Sequence, residues 1–274
     1  MNPVDPAVAS QLAGLLRRHR IQPAHRLGQN FLVDAQIRDR VAAAAGIQPG
    51  DTVLEVGAGP GALSVALAPL ASRLVCVEID RRLLGVLREV VAGHDNVELQ
   101  EGDVLKMALP AAEVVAGNIP YYLTGALLPR LMDSAHRPRQ VSLVVQKEVA
   151  LRWTQPGDWS LGSLAVHVHS VPEYRFTIPR EAFTPVPGVD SALVTLAIRA
   201  QPAVKVDDLH DFFRFAERIF QFRRKQLGGT MTRLEGAGAA GVLAGSGLDP
   251  ARRPQTLSLE EWQVLYGAFR STVE

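Results

Sequence analysis

The sequence predicts an α/β fold: a mostly parallel sheet with an antiparallel edge, followed by a small α-helical C-terminal domain. Three observations carry this. Short apolar runs alternate with amphipathic helical segments from residue 34 to residue 146. A glycine-rich turn, Gly57-Ala58-Gly59-Pro60-Gly61, lies between the first such strand and the helix after it. After Ala200-Gln201-Pro202 the pattern becomes helical, which puts a domain boundary near residue 200.

Residues 7–20 read as an amphipathic helix ending in Arg17-Arg18-His19-Arg20. His25 to Leu32 has turn character, and residues 34–45 form a helix with Asp34 as N-cap. Strands follow at 52–56, 73–78, 97–100, 113–117 and 141–146, with helices at 62–71, 80–92 and 124–134. Two further β-rich runs, 164–171 and 191–198, suit an antiparallel hairpin closing the sheet edge. Residues 207–222 form a helix with Phe212, Ala216, Ile219 and Phe220 on one face. Seven glycines in 228–247 predict a loop-rich or marginally helical stretch.

With 274 residues, 47% hydrophobic and 21% charged, the chain has the make-up of a soluble globular protein and excludes a disordered one. Aromatics are only 6%, which points to an aliphatic interior. The N-terminus shows no secretory h-region and no apolar run reaches bilayer length, so no membrane partner is expected. Cys76 is the single cysteine, which argues against disulfides and a cysteine-based metal site and fits a cytoplasmic location. Net charge is +1, yet it is unevenly spread. Residues 1–26 hold four arginines against one aspartate, and residues 210–233 hold six basic residues against two acidic ones. These segments fit either a polyanion footprint or ordinary solvated helix faces.

The chemistry sits at the strand tips. Gly57 and Gly59 let the backbone approach a ligand closely, and the spacing G-x-G-x-G departs from the dinucleotide fingerprint. Glu78, at the end of the second strand, is placed to accept from both ribose hydroxyls. Together they indicate an adenosine-containing ligand. Asp103, after the third strand, can accept from an adenine exocyclic amine. Asn118-Ile119-Pro120-Tyr121 ends the fourth strand. There an Asn amide oxygen and the carbonyl preceding proline can both accept from a planar –NH2 group. That frees the nitrogen lone pair, while Tyr121 offers a stacking face; positioning does the work.

These residues resemble those of class I S-adenosylmethionine-dependent methyltransferases with a Rossmann-like sheet, and N-x-P-Y points to amino-methylation of adenine. The resemblance narrows with Gln29-Asn30-Phe31-Leu32, Glu55 to Gly61, Glu78, Gly102-Asp103, Asn118 to Tyr121, Phe183 to Ser191 and Phe222 to Leu227. In this order they are similar to the KsgA (RsmA) family of rRNA adenine N6,N6-dimethyltransferases, over about residues 25–270. Ile119 and Tyr122 stand where the family usually has Leu and Asn.

The resemblance implies that Gln29, Asn30, Leu32, Gly57, Gly59, Glu78, Asp103 and Asn118 hold S-adenosyl-L-methionine and its product S-adenosyl-L-homocysteine. It implies catalytic roles for Asn118, Pro120, Tyr121 and Phe183, the last two gripping a flipped adenine; the alternative for Phe183 is a core aromatic. Residues 1–200 would be the catalytic domain, with a basic extension at 1–26, and 201–274 a helical rRNA-binding domain carrying Arg223, Arg224 and Lys225. The implied substrate is a pair of adjacent adenosines in a hairpin loop near the 3′ end of 16S rRNA, in a precursor of the small (30S) ribosomal subunit. The implied working form is a cytoplasmic monomer. Large-subunit rRNA is the rival substrate within the enzymes. A non-catalytic RNA-binding factor is the rival from another class, and intact Glu78, Asp103 and Asn118 argue against it.

Overall fold

The computed structural model describes residues 4–120, 123–155, 157 and 159–273. It contains strands β1 (Phe31–Leu32), β2 (Thr52–Val56), β3 (Arg73–Glu78), β4 (Val97–Glu101), β5 (Val114–Asn118), β6 (Gln140–Gln146), β7 (Ser170–Ile178), β8 (Phe183–Thr184) and β9 (Ser191–Ile198). Seven of them form one sheet in the order β4-β3-β2-β5-β6-β9-β7, while β1 and β8 pair separately. Strands β2 to β6 pair in parallel, and β9 runs antiparallel to β6.

The strands form where they do because both faces are covered. Val53, Leu54 and Val56 of β2, Leu74 to Val77 of β3 and Val114 to Ala116 of β5 are all buried, as a parallel sheet flanked by helices requires. The helix Ala35–Ala43 starts where Asp34 accepts from the Ile37 N–H at 3.0 Å, and Arg81–Val90 starts at Asp80 in the same way. The sheet's winding reverses between β2 and β5, and a ligand crevice is expected there, beyond the carboxyl ends of the two strands.

The chain divides into two compact units, Met1–Ala150 with Pro172–Ile198, and Leu151–Val171 with Arg199–Glu274. One division falls at Ile198–Arg199, two residues before the expected boundary, but residues 151–171 also group with the C-terminal part. The cause is packing: Trp159, Leu164 and Val168 share a buried cluster with Phe212, Leu227 and Trp262.

Three expectations need correction. Most of the run 164–171 does not form a strand: Leu161–His169 is a helix, opened by a reciprocal capping box between Ser160 and Ser163, and β7 begins only at Ser170. Its valines are buried nearly all round, so the run carries no helical period. The glycine-rich stretch is also helical, over Leu227–Glu235 and Ala239–Ser246. Gly236 and Gly247 close these helices at positive φ, and Gly245 lies so near the helix Leu259–Val273 that a Cβ would stand 3.4 Å from Ala268 Cβ. Tertiary contact therefore offsets the helix penalty of glycine. Finally, the interior is aliphatic only in the first unit. In the second, Phe215 stacks on Phe269 with ring centroids 4.6 Å apart, and Phe220 lies 5.1 Å from Trp262.

Candidate active site

A cleft open to solvent lies at the carboxyl ends of β2, β3 and β5. The chain turns sharply out of β2 because Gly57 and Gly59 adopt φ of +71° and +58°. The Gly57 N–H donates to the Val77 carbonyl at 2.9 Å, tying this turn to β3. A side chain at Gly57 would meet Pro120 Cδ at 3.7 Å and the Asn118 carbonyl at 3.8 Å, so the turn sits directly beside the end of β5.

Glu78 is buried at the tip of β3. Its Oε2 accepts the Gly59 N–H and its Oε1 accepts the Asp80 N–H, each at 2.8 Å. Burial holds the carboxyl above its ordinary range, against the lowering effect of the Asp80, Gly59 and Ile79 backbone N–H groups. Each oxygen keeps a further lone-pair direction for a ligand. Deeper in the cleft, Glu55 is buried, and its Oε2 accepts from Ser64 Oγ at 2.6 Å and Cys76 Sγ at 3.3 Å. Its pKa is pushed up to about 7 by burial, against those two hydrogen bonds.

Asn118 ends β5, and its Nδ2 donates to the Asn30 carbonyl at 3.0 Å. That bond fixes the amide's sense, leaving Oδ1 as an acceptor. Gln29 is a brace as well as a wall. Its Oε1 accepts the Ala24 N–H at 2.7 Å and its Nε2 donates to Asp80 Oδ2 at 2.8 Å. Asp80 is held down to about 2, chiefly by the Arg82 guanidinium, which also forms an ion pair with it at 2.6 Å. Asp103 Oδ1 accepts the Leu105 N–H at 3.0 Å, and exposed Lys106 stands 3.4 Å from Oδ2.

The cleft brings together Gln29, Asn30, Leu32, Gly57, Gly59, Glu78, Asp103, Asn118, Pro120 and Phe183. Phe183 has a second character too: its ring is only 2% exposed and belongs to the first unit's core, with Leu32 opposite it in the β1–β8 pair. Tyr121 and Tyr122 lie outside the described residues. Arg223, Arg224 and Lys225 are in the second unit; Arg223 is half-buried and the other two are exposed. Sequence reasoning missed the apolar walls Ile79, Val104 and Leu123. Ile79 directly follows Glu78 and Val104 follows Asp103, so the strand-tip positions that located the acids also locate these.

These residues fit an adenosine-bearing sulfonium cofactor. Glu78 offers carboxylate acceptors for a ribose, Asp103 an acceptor nearby, and Ile79 and Val104 apolar surface for a flat base.

Comparison with known proteins gives the same answer. A family model described as ribosomal RNA adenine dimethylase matches residues 21–267. The chain is 40% identical to ribosomal RNA small subunit methyltransferase A of Pelotomaculum thermopropionicum, covering 97% of this chain and 96% of that one. It is equally 40% identical to the protein of that name from Moorella thermoacetica, over 93% and 96%. Among solved structures, the 23S rRNA methyltransferase ErmE superposes with a TM-score of 0.69 at 28% identity, covering 88% of this chain and 100% of that one. A dimethyladenosine transferase from Plasmodium falciparum shares the fold, with a TM-score of 0.76 at 24% identity over 89% and 98%. With a family match across nearly the whole chain and a cleft of matching chemistry, the protein belongs to the ribosomal RNA adenine dimethylases, which transfer methyl groups from S-adenosylmethionine.

Proposed function

We propose that this chain dimethylates N6 of two adjacent adenosines in a hairpin loop near the 3′ end of 16S rRNA, acting as a cytoplasmic monomer on a precursor of the small ribosomal subunit. The observation that carries the reading is the Asn118 amide in the cleft wall, whose nitrogen is taken up by the Asn30 carbonyl, leaving its oxygen as an acceptor.

An adenine N6 amine is a poor nucleophile because its lone pair is conjugated with the ring. In the first transfer the Asn118 Oδ1 and the Ile119 carbonyl each accept one N6–H; in the second, the one remaining N6–H is held by one of these acceptors. This holds the amine, turns its lone pair out of conjugation and aims it along one line. Bound S-adenosylmethionine supplies a methyl group made electrophilic by its sulfonium sulfur. The surplus amine proton leaves to solvent, so the residues chiefly position the reactants. Pro120 stiffens the acceptor strand tip. Phe183 and Tyr121 hold the base between them, and a loop target lowers the cost of unstacking it, a few kcal/mol in a duplex.

Gln29, Asn30, Leu32, Gly57, Gly59, Glu78 and Asp103 form the cofactor side of the cleft. Arg223, Arg224 and Lys225 contact the rRNA backbone from the second unit. The experiment is mass spectrometry of rRNA from cells lacking the protein. The two adjacent dimethyladenosines of 16S rRNA should be absent there and return on complementation; their persistence would refute the reading.

A further inference from the structure

The proposed reaction leaves the basic N-terminal segment without a role. Within it Arg18 and His19 are taken up by Glu89, at 2.5 and 2.8 Å. Arg17, Arg20 and Arg26 differ: all three are exposed, and among the described residues none has a carboxylate partner. Two carboxylates of the region are already committed, Asp80 to Arg82 and Asp5 to Arg38. Three exposed cations without a carboxylate partner add no ion pair to the fold.

The backbone supplies an independent observation. Helix Ala9–Arg18 closes with the Ile21 N–H on the Leu16 carbonyl at 2.8 Å and the Arg20 N–H on the Arg17 carbonyl at 3.1 Å. This closure puts Arg20 at φ +56°, in the left-handed region where glycine is the favoured residue. Among the described residues Arg20 is the one non-glycine with positive φ. Among the described residues its guanidinium makes no hydrogen bond, ion pair or ring contact that would compensate for the strain. Strain of this kind points to a role for the side chain outside the fold.

The segment also runs into the cleft. Leu27 and Gly28 line it, and Gly28 lies against Pro120, where an added Cβ would stand 3.5 Å from Pro120 Cβ. Arg26 is therefore two residues from the wall beside the Asn118–Pro120 acceptors. We infer that Arg17, Arg20 and Arg26 form a second grip on the RNA phosphate backbone, carried by the catalytic unit on the segment that leads into the cleft and distinct in sequence from Arg223–Lys225. This rests on the proposed rRNA substrate. Phosphates are the complementary chemistry because the groups are exposed and cationic, none has a carboxylate partner among the described residues, and the segment that carries them leads into the cleft wall at Leu27 and Gly28.

The test is binding to unmethylated small ribosomal subunits as a function of salt, with methyl transfer and cofactor affinity measured separately. Each phosphate contact contributes about 0.7–0.9 to the slope of log K against log salt. Neutralising all three with Arg17→Gln, Arg20→Gln and Arg26→Gln should lower the slope by about 2 and weaken binding at least about tenfold near physiological salt. Cofactor affinity should be unchanged. Arg20→Gly alone should hold or raise the melting temperature, since glycine accepts this backbone, and still lower the slope by about 0.7–0.9. Variants that bind with wild-type slopes overturn the inference and leave the reaction standing. A wild-type protein that binds subunits without methylating them counts against the reaction alone, and one that does not bind them overturns both.

Discussion

Phe183 is where packing and chemistry meet, so truncating it has a double consequence. The ring is 2% exposed, paired across β1–β8 with Leu32, and it also forms part of the cleft wall. Removing a buried phenyl ring costs about 3–5 kcal/mol where the site cannot collapse. At about 2–4 °C per kcal/mol for a chain of this size, Phe183→Ala should lower the melting temperature by roughly 6–20 °C. Phe183→Leu fills most of the space and should melt within a few degrees of wild type. Leucine has no π-face, however, and stacking on a base is worth about 1–3 kcal/mol. Phe183→Leu should therefore lose about 5- to 150-fold in kcat/KM for rRNA methylation, while Phe183→Tyr retains much of it. Thermal melts and methyl transfer on the same three variants decide the matter. A leucine variant with wild-type kcat/KM would remove the stacking role, and an alanine variant with an unchanged melting temperature would contradict the packing.

Four further outcomes follow from the cleft and the second unit. Glu78→Ala removes hydrogen bonds to a charged group worth about 1.5–3 kcal/mol each, so S-adenosylmethionine should bind at least about tenfold more weakly by calorimetry. Because that change also strands the Gly59 and Asp80 N–H groups, Glu78→Gln serves as a check that the fold persists. Asn118→Ala should cut methyl transfer far more than it weakens either ligand, and a variant with most of its turnover would remove Asn118 from the catalytic role. Glu55 titrates near 4.5 when unfolded and near 7 in the fold, so the folded state binds its proton more tightly and stability falls as pH rises between these values. Glu55→Gln does not titrate, so denaturation should show it gaining about 3 kcal/mol on wild type between roughly pH 4.5 and 8; parallel pH profiles would refute this. Neutralising Arg223, Arg224 and Lys225 together should flatten the salt dependence of rRNA binding by up to about three contacts while cofactor affinity holds, and an unmoved slope would mark an ordinary solvated face.

The parallel core was legible because its strands are short apolar runs bounded by turns, and because Asp34 and Asp80 mark helix starts in the sequence itself. The run 164–171 misled because valines buried on all sides read as a strand; only the Ser160–Ser163 cap distinguishes it. The glycines of 228–247 misled because their effect depends on how closely another helix approaches, which composition does not encode. At the site, the spacing from Gly57 to Glu78 and the tip at Asn118 follow from strand order and so could be read. The brace from Gln29 to Asp80 and the burial of Phe183 against Leu32 arise from pairings between distant parts of the chain, and no local pattern announces them.

The central claim is that this cleft methylates adenine N6 in small-subunit rRNA. The most direct test incubates the purified protein with tritiated-methyl S-adenosylmethionine and, separately, unmethylated small and large ribosomal subunits, then maps the label. The account predicts transfer to the small subunit alone, ending in two adjacent N6,N6-dimethyladenosines near the 3′ end of its rRNA. Label in large-subunit rRNA, or none in either particle, would contradict it.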